Sequence, residues 1–129
     1  MQPGTPSRGL VLAIALACAM AAPAAALSHL VTPDGGGDFA TIQDAILSTA
    51  EGDTILLADG IFRGNGNNRI DLLGYALTIR AQSANAESCI IDIEGTAEDQ
   101  RFGFQFIHGE GPDTRLEHLT LRHGCDLGC

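Results

Sequence analysis

The chain has no tryptophan, a single tyrosine and no lysine. With Tyr75 as the one large amphipathic ring, it offers little for an exposed sugar-stacking platform, which favours Trp and Tyr. The absence of lysine removes the phosphate-loop reading of its glycine runs, because that loop ends in a Lys that reaches the phosphates. All 7 basic residues are therefore arginines, set against 16 acidic ones for a net charge of −9. That balance speaks against nucleic acid and anionic membranes as partners. After the first 26 residues no long hydrophobic run remains, so nothing there predicts a membrane span.

The first 26 residues have their own pattern. Arg8 precedes an apolar run of 13 residues, Leu10 to Ala22, and small residues end at Ala24, Ala25 and Ala26. This predicts a secretory signal peptide over 1–26 with an A-x-A cleavage site, the run being too short to cross a bilayer. A lipoprotein anchor at Cys18 would call for Leu three residues before it, where Ala15 stands. The expected location is secreted or cell surface, and residues 27–129 are one small domain. Cys125 and Cys129 close a small disulfide loop in an oxidising compartment on this reading, which leaves Cys89 unpaired.

Within the domain, Asp34-Gly35-Gly36-Gly37-Asp38 reads as a turn leading into a helix. Thr41 and Asp44 form a variant capping box, and Ile42, Ala45, Ile46 and Thr49 share one helical face, which predicts a helix over 42–50 ended by Gly52. Beyond it the periodicity is that of short strands: 54–58, 76–81, 89–93, 103–107 and 116–122. Turn formers separate them without two-residue hairpin turns and without a second helix. A parallel β-helix links strands in this way, each pairing with one a full turn away. Leu77-Thr78-Ile79-Arg80 and Leu119-Thr120-Leu121-Arg122 are near copies at a spacing of 42, read as one three-sided turn with the apolar pair inside and Thr and Arg outside.

Several residues bear on chemistry. Asp34 and Asp38 are candidate Ca²⁺ ligands, although two carboxylates fall short of the six to eight oxygens calcium takes, and a turn explains them as well. Asp92 and Glu94, at i and i+2 of a strand, are candidate catalytic carboxylates on one outer face, about 7 Å apart and within the range of inverting glycosidases. Charges on the outer face of a strand are more commonly just solvated. His118, His123, Cys125 and Cys129 give a spacing that matches no common zinc module. Phe39, Phe62, Phe102, Phe104 and Phe106 are assigned to core or stacking positions.

Taken together, VTPDGGGDFATIQDAI, GDTILLADGIF, ALTIRA, CIIDIEG, GFQF and LEHLTLRHG resemble the N-terminal part of secreted bacterial right-handed β-helix proteins of the pectin lyase-like superfamily. The resemblance runs from about Val31 to Gly124. It implies an all-β, right-handed parallel β-helix in which an entry strand and a short N-terminal α-helix cap the core. In that superfamily polysaccharide lyases use outward carboxylates on Ca²⁺, which extends the interest of Asp92 and Glu94. The chain departs from the related pectin methylesterases at Arg63, where an acidic residue is usual, and carries none of their later catalytic motifs. Ile93 stands where relatives often have a second Cys, and His123 where they usually have Asn, a position that tolerates left-handed backbone. A solenoid needs about three or more repeats and a terminal cap. Neither is visible before Cys129, so the β-helix is read as incomplete at its C-terminus. The expectation is a non-enzymatic exported binding or adhesion protein, acting on polysaccharide; the alternative is the N-terminal part of a polysaccharide lyase or pectin esterase whose active rungs lie beyond residue 129.

Overall fold

A computed structural model of the chain describes residues 25–125. The signal-peptide assignment thus lies almost wholly outside the described residues, and so does Cys129. Among the described residues nine short strands and one helix follow in order: β1 Ser28–Val31, α1 Ile42–Ser48, β2 Thr54–Leu57, β3 Gly60–Phe62, β4 Ile70–Asp71, β5 Thr78–Ala81, β6 Cys89–Asp92, β7 Phe104–Gln105, β8 Arg115–Glu117 and β9 Thr120–Arg122. Every pairing between these strands is parallel, and one isolated antiparallel bridge joins Arg101 to Cys125. One sheet runs β1-β2-β5-β8, a second β3-β6-β9 and a third β4-β7. From β2 onwards the chain visits first, second and third sheet in turn and then repeats, so each strand lies on the equivalent strand of the previous circuit. The described residues are all-β apart from α1.

Side-chain alternation explains why these strands stack. In β2, Ile55 and Leu57 are buried while Thr54 and Leu56 are half-buried, the period of two of a strand with one face inward. Parallel register repeats that choice, placing Ile55 beside Ile79 and then Leu116, and Val31 beside Leu57 and then Ala81. In the second sheet Phe62, Ile91 and Leu121 align, and in the third Ile70 lies beside Phe104. The core is the buried part of these columns, closed by Ile42, Ala45 and Ile46 from α1, with Leu116 and Phe104 packed against it and Leu121 exposed on the last described rung.

The helix is held from both sides. Thr41 Oγ1 accepts from the Asp44 amide at 3.1 Å, as the capping reading requires, and Asn67 Oδ1 accepts from the Ile42 amide at 3.0 Å. The Gln43 amide donates to Gly66 O, so the loop 63–68 is an anchor for the helix start. A Cβ at Gly66 (φ 88°) would sit 2.5 Å from Thr41 Oγ1. In the glycine turn, a Cβ at Gly37 would sit 2.5 Å from the Leu30 carbonyl oxygen, so only glycine lets the turn return against β1.

Several sequence expectations change. The helix stops at Ser48, where Thr49 turns extended and closes the last turn, rather than at Ala50. The run 116–122 is two strands, because His118 adopts φ 56° and turns the chain from the first sheet into the second. Only Phe104–Gln105 of 103–107 is strand, and 89–93 ends at Asp92. The two near copies are not one turn apart: β5 belongs to the first sheet and β9 to the second. In β5 Ile79 is buried as expected, whereas in β9 Leu121, expected inside, is 47% exposed because no further described rung covers it. Among the described residues no helix is long and apolar enough to cross a membrane.

Candidate functional site

The outer face of the second sheet brings two arginines, Arg63 and Arg122, into one row with Asp92. Asp92 of β6 is in register with Arg122 of β9, and Phe62 with Ile91, so Arg63 follows β3 at the level of Asp92. Three successive rungs thus present Arg, Asp and Arg in one column, with neighbouring rungs about 4.8 Å apart. Opposite charges directly across a ladder attract, which makes this register favourable.

The side chains converge on the carboxylate. Asp92 Oδ2 accepts from Arg122 Nε at 3.1 Å, with Arg122 Nη2 also at 3.1 Å and Arg63 Nη2 at 3.5 Å. Its Oδ1 accepts from the Glu94 amide at 3.3 Å and faces His123 Nδ1 at 2.9 Å. A carboxylate acceptor at Nδ1 places the imidazole proton there and turns Nε2 toward solvent. His123 has φ 56°, the left-handed geometry its position anticipates, and this brings the ring back over Asp92. The Asp92 side chain is only 5% exposed, against 53% for Arg63, 35% for Arg122 and 64% for His123. Burial alone would raise the Asp92 pKa, but the hydrogen bonds from His123 and Arg122, the His123 charge and the Glu94 amide outweigh it and hold the carboxyl below its usual value. The result is a buried anion under a partly open cationic cover.

Immediately beside this column runs an apolar one. Ile61, Ile90 and Thr120 are in register two residues earlier on the same outer face. Ile61 is 38% exposed and Ile90 half-buried.

Three other aspartates among the described residues serve the fold. Asp53 accepts from the Leu27 and Ala50 amides and meets His29 Nε2 at 3.1 Å, which ties β1 to the start of β2. Asp71 meets His108 Nε2 at 3.0 Å and accepts from the Leu73 amide, linking loops of adjacent rungs. Asp99 pairs with Arg69 and Arg101 in a loop.

The residues singled out in the sequence fall out differently. Asp92 is central, but Glu94 is not its partner on a strand face: β6 ends at Asp92, and Glu94 takes φ 55°, which breaks the period of two. Glu94 Oε2 instead accepts from the Gly64 amide at 3.3 Å. Asp34 Oδ1 accepts from Thr32 Oγ1 and the Gly36 amide, and these hydrogen bonds lower its pKa. Asp38 Oδ2 accepts from the Leu30 amide, so both aspartates of the glycine turn serve the turn. Among the described residues no three His, Cys, Asp or Glu side chains are grouped to hold a metal ion, with His118, His123 and Cys125 included. Cys125 is disulfide-bonded, while Cys129, its expected partner, lies outside the described residues. Cys89 is a free thiol in the core, pushed up to about 11 by burial and by the charge of Asp59, and is therefore neutral and unreactive.

Arg63 and His123 stand out in the sequence for other reasons, and their convergence on Asp92 is what motif reading missed. Their signal was positional: Arg63 directly follows β3 and so falls level with Asp92 and Arg122, while His123 directly follows Arg122 at the end of β9. No protein-family model, no curated protein and no solved structure matches the chain.

Proposed function

We propose that the chain is an exported, right-handed parallel β-helix, of the pectin lyase-like kind, that binds polysaccharide at the cell surface or outside the cell without turning it over. The right hand follows from the strong preference of crossovers between parallel strands of one sheet. Export follows from the signal-peptide pattern of residues 1–26. The observation that carries the binding reading is the outer face of the second sheet, where an apolar column at Ile61 and Ile90 runs beside a polar one at Arg63, Asp92 and Arg122. Sugar rings present the same combination, an apolar face and a polar edge, and a ladder of rungs repeats it along a chain-like ligand.

The non-enzymatic part rests on Asp92. Both of its oxygens are engaged by cations and an amide, so it is poorly placed to exchange a proton with substrate.

Mature chain applied to a glycan array is expected to bind at least one polysaccharide, with binding reduced when Ile61 and Ile90 are both replaced by serine. An array with no bound glycan contradicts the binding reading. Release of unsaturated or de-esterified product from pectin or polygalacturonate in the presence of Ca²⁺ contradicts the non-enzymatic one.

A further inference from the structure

The chain is acidic overall, yet at Asp92 two arginines share one carboxylate. Arg122 gives it Nε and Nη2, both at 3.1 Å from Oδ2, and Arg63 reaches the same oxygen with Nη2 at 3.5 Å. A guanidinium has five N–H donors, so both groups keep unengaged donors, and the exposure of Arg63 (53%) and Arg122 (35%) leaves these open to solvent. Asp92 therefore positions the two cations without neutralising both. Left alone, two guanidinium groups converging on one oxygen repel each other, and an anion seated on the solvent side lowers that repulsion.

We propose that Arg63 and Arg122 form an oxyanion site for the sulfate ester of a sulfated glycan, with Asp92 as the positioning residue and Ile61 and Ile90 under the sugar ring. This rests on the polysaccharide-binding reading above. Guanidinium is a weakly hydrated cation, so it pairs most favourably with an anion that is also weakly hydrated. A sulfate ester meets that condition better than a carboxylate, and it offers three acceptor oxygens to donors arriving from two different rungs. The surrounding acidic surface sharpens the choice, since a polyanion gains only where its charged group meets this cationic spot.

The test uses the mature chain in affinity measurements on dextran sulfate, unsulfated dextran and polygalacturonate at matched ionic strength. Dextran sulfate is expected to bind most tightly. Arg63→Gln is the informative variant, because Arg63 is half-exposed and its contact to Asp92 is long, so folding is retained and thermal melting confirms it. It is expected to weaken binding about fivefold, the loss of one charge-assisted hydrogen bond. Arg80→Gln removes the same charge from the first sheet and is expected to change affinity less than about twofold. Equal losses in the two variants would overturn the site in favour of diffuse electrostatics. Tighter binding to polygalacturonate would overturn the sulfate assignment, and competition by free inorganic sulfate as effective as that by the polymer would overturn the glycan as its source. Glycan binding that ignores Arg63 sinks this inference and leaves the broader reading standing, whereas no binding to any polysaccharide removes that reading itself.

Discussion

Replacing Asp92 by alanine is expected to lower the unfolding free energy by about 2 kcal/mol, measured by urea denaturation at neutral pH. Removing one partner of a fully buried ion pair costs about 3–5 kcal/mol, because the remaining charge is left without compensation. Here the stranded groups, Arg63, Arg122 and His123, are partly exposed and regain water, which brings the loss down. The effect has a pH signature. The folded-state pKa of Asp92 lies below the ordinary value of 3.8, so the unfolded chain binds the proton more readily. Its contribution is fully present above about pH 4 and is lost as pH falls below 3.8 through the folded value. Asp53 acts in the same sense, lowered by the Leu27 and Ala50 amides and by His29, and so does Asp71, where the Leu73 amide and His108 outweigh burial. The wild type should therefore lose stability steeply below pH 4, and the difference between it and Asp92→Ala should shrink over the same range. A difference that persists unchanged at pH 2 would show that Asp92 acts through packing and not through its charge.

Phe62→Ala is expected to be the most damaging single truncation, costing about 3–5 kcal/mol. Phe62 is 0% exposed and heads the column Phe62, Ile91, Leu121 in the second sheet. Removing it opens a cavity in the layer that sets the level of Arg63, Asp92 and Arg122. For a domain whose total stability is of the order of 5–15 kcal/mol, most of the margin disappears. The same truncation at Phe106, which is 53% exposed, is expected to stay within about 0.5 kcal/mol. Chemical denaturation of the two variants side by side checks both values, and similar losses would contradict the placement of Phe62 in the core.

The contrast between these phenylalanines shows how far residue type alone carries. The sequence assigns all five to core or stacking roles, but the structure separates fully buried Phe62, partly buried Phe39 and Phe104, and exposed Phe102 and Phe106. Local features were the legible ones. Thr41, Asp44 and the Ile42/Ala45/Ile46 face specify a helix through contacts three and four residues apart, and the alternation in 54–57 and 78–81 marks strands in the same local way. What stayed hidden depends on partners far along the chain or on single backbone angles. Ile70–Asp71 is too short to carry a period and becomes a strand beside Phe104–Gln105, the part of the expected 103–107 strand that pairs. His118 breaks a run that looks continuous, since nothing in its side chain announces a left-handed turn. Asp92 was visible as a carboxylate, but Arg63 and His123 join it only once three rungs are in register, and the left-handed backbone at Glu94 takes that residue off the strand face it was expected to share with Asp92. The glycine turn was legible from its residues, and Asp34 and Asp38, also weighed as calcium ligands, accept from nearby amides.

Everything proposed for the site depends on the parallel, in-register stacking of β3, β6 and β9. Nuclear Overhauser contacts in the isotope-labelled mature chain test it most directly. The expected result is a set of backbone contacts joining Ile61 to Ile90 and Ile90 to Thr120, with side-chain contacts from Phe62 to Ile91 and from Ile91 to Leu121. Antiparallel contacts between strands adjacent in sequence, such as β2 with β3 or β8 with β9, would contradict the account, because Arg63, Asp92 and Arg122 would then have no reason to meet.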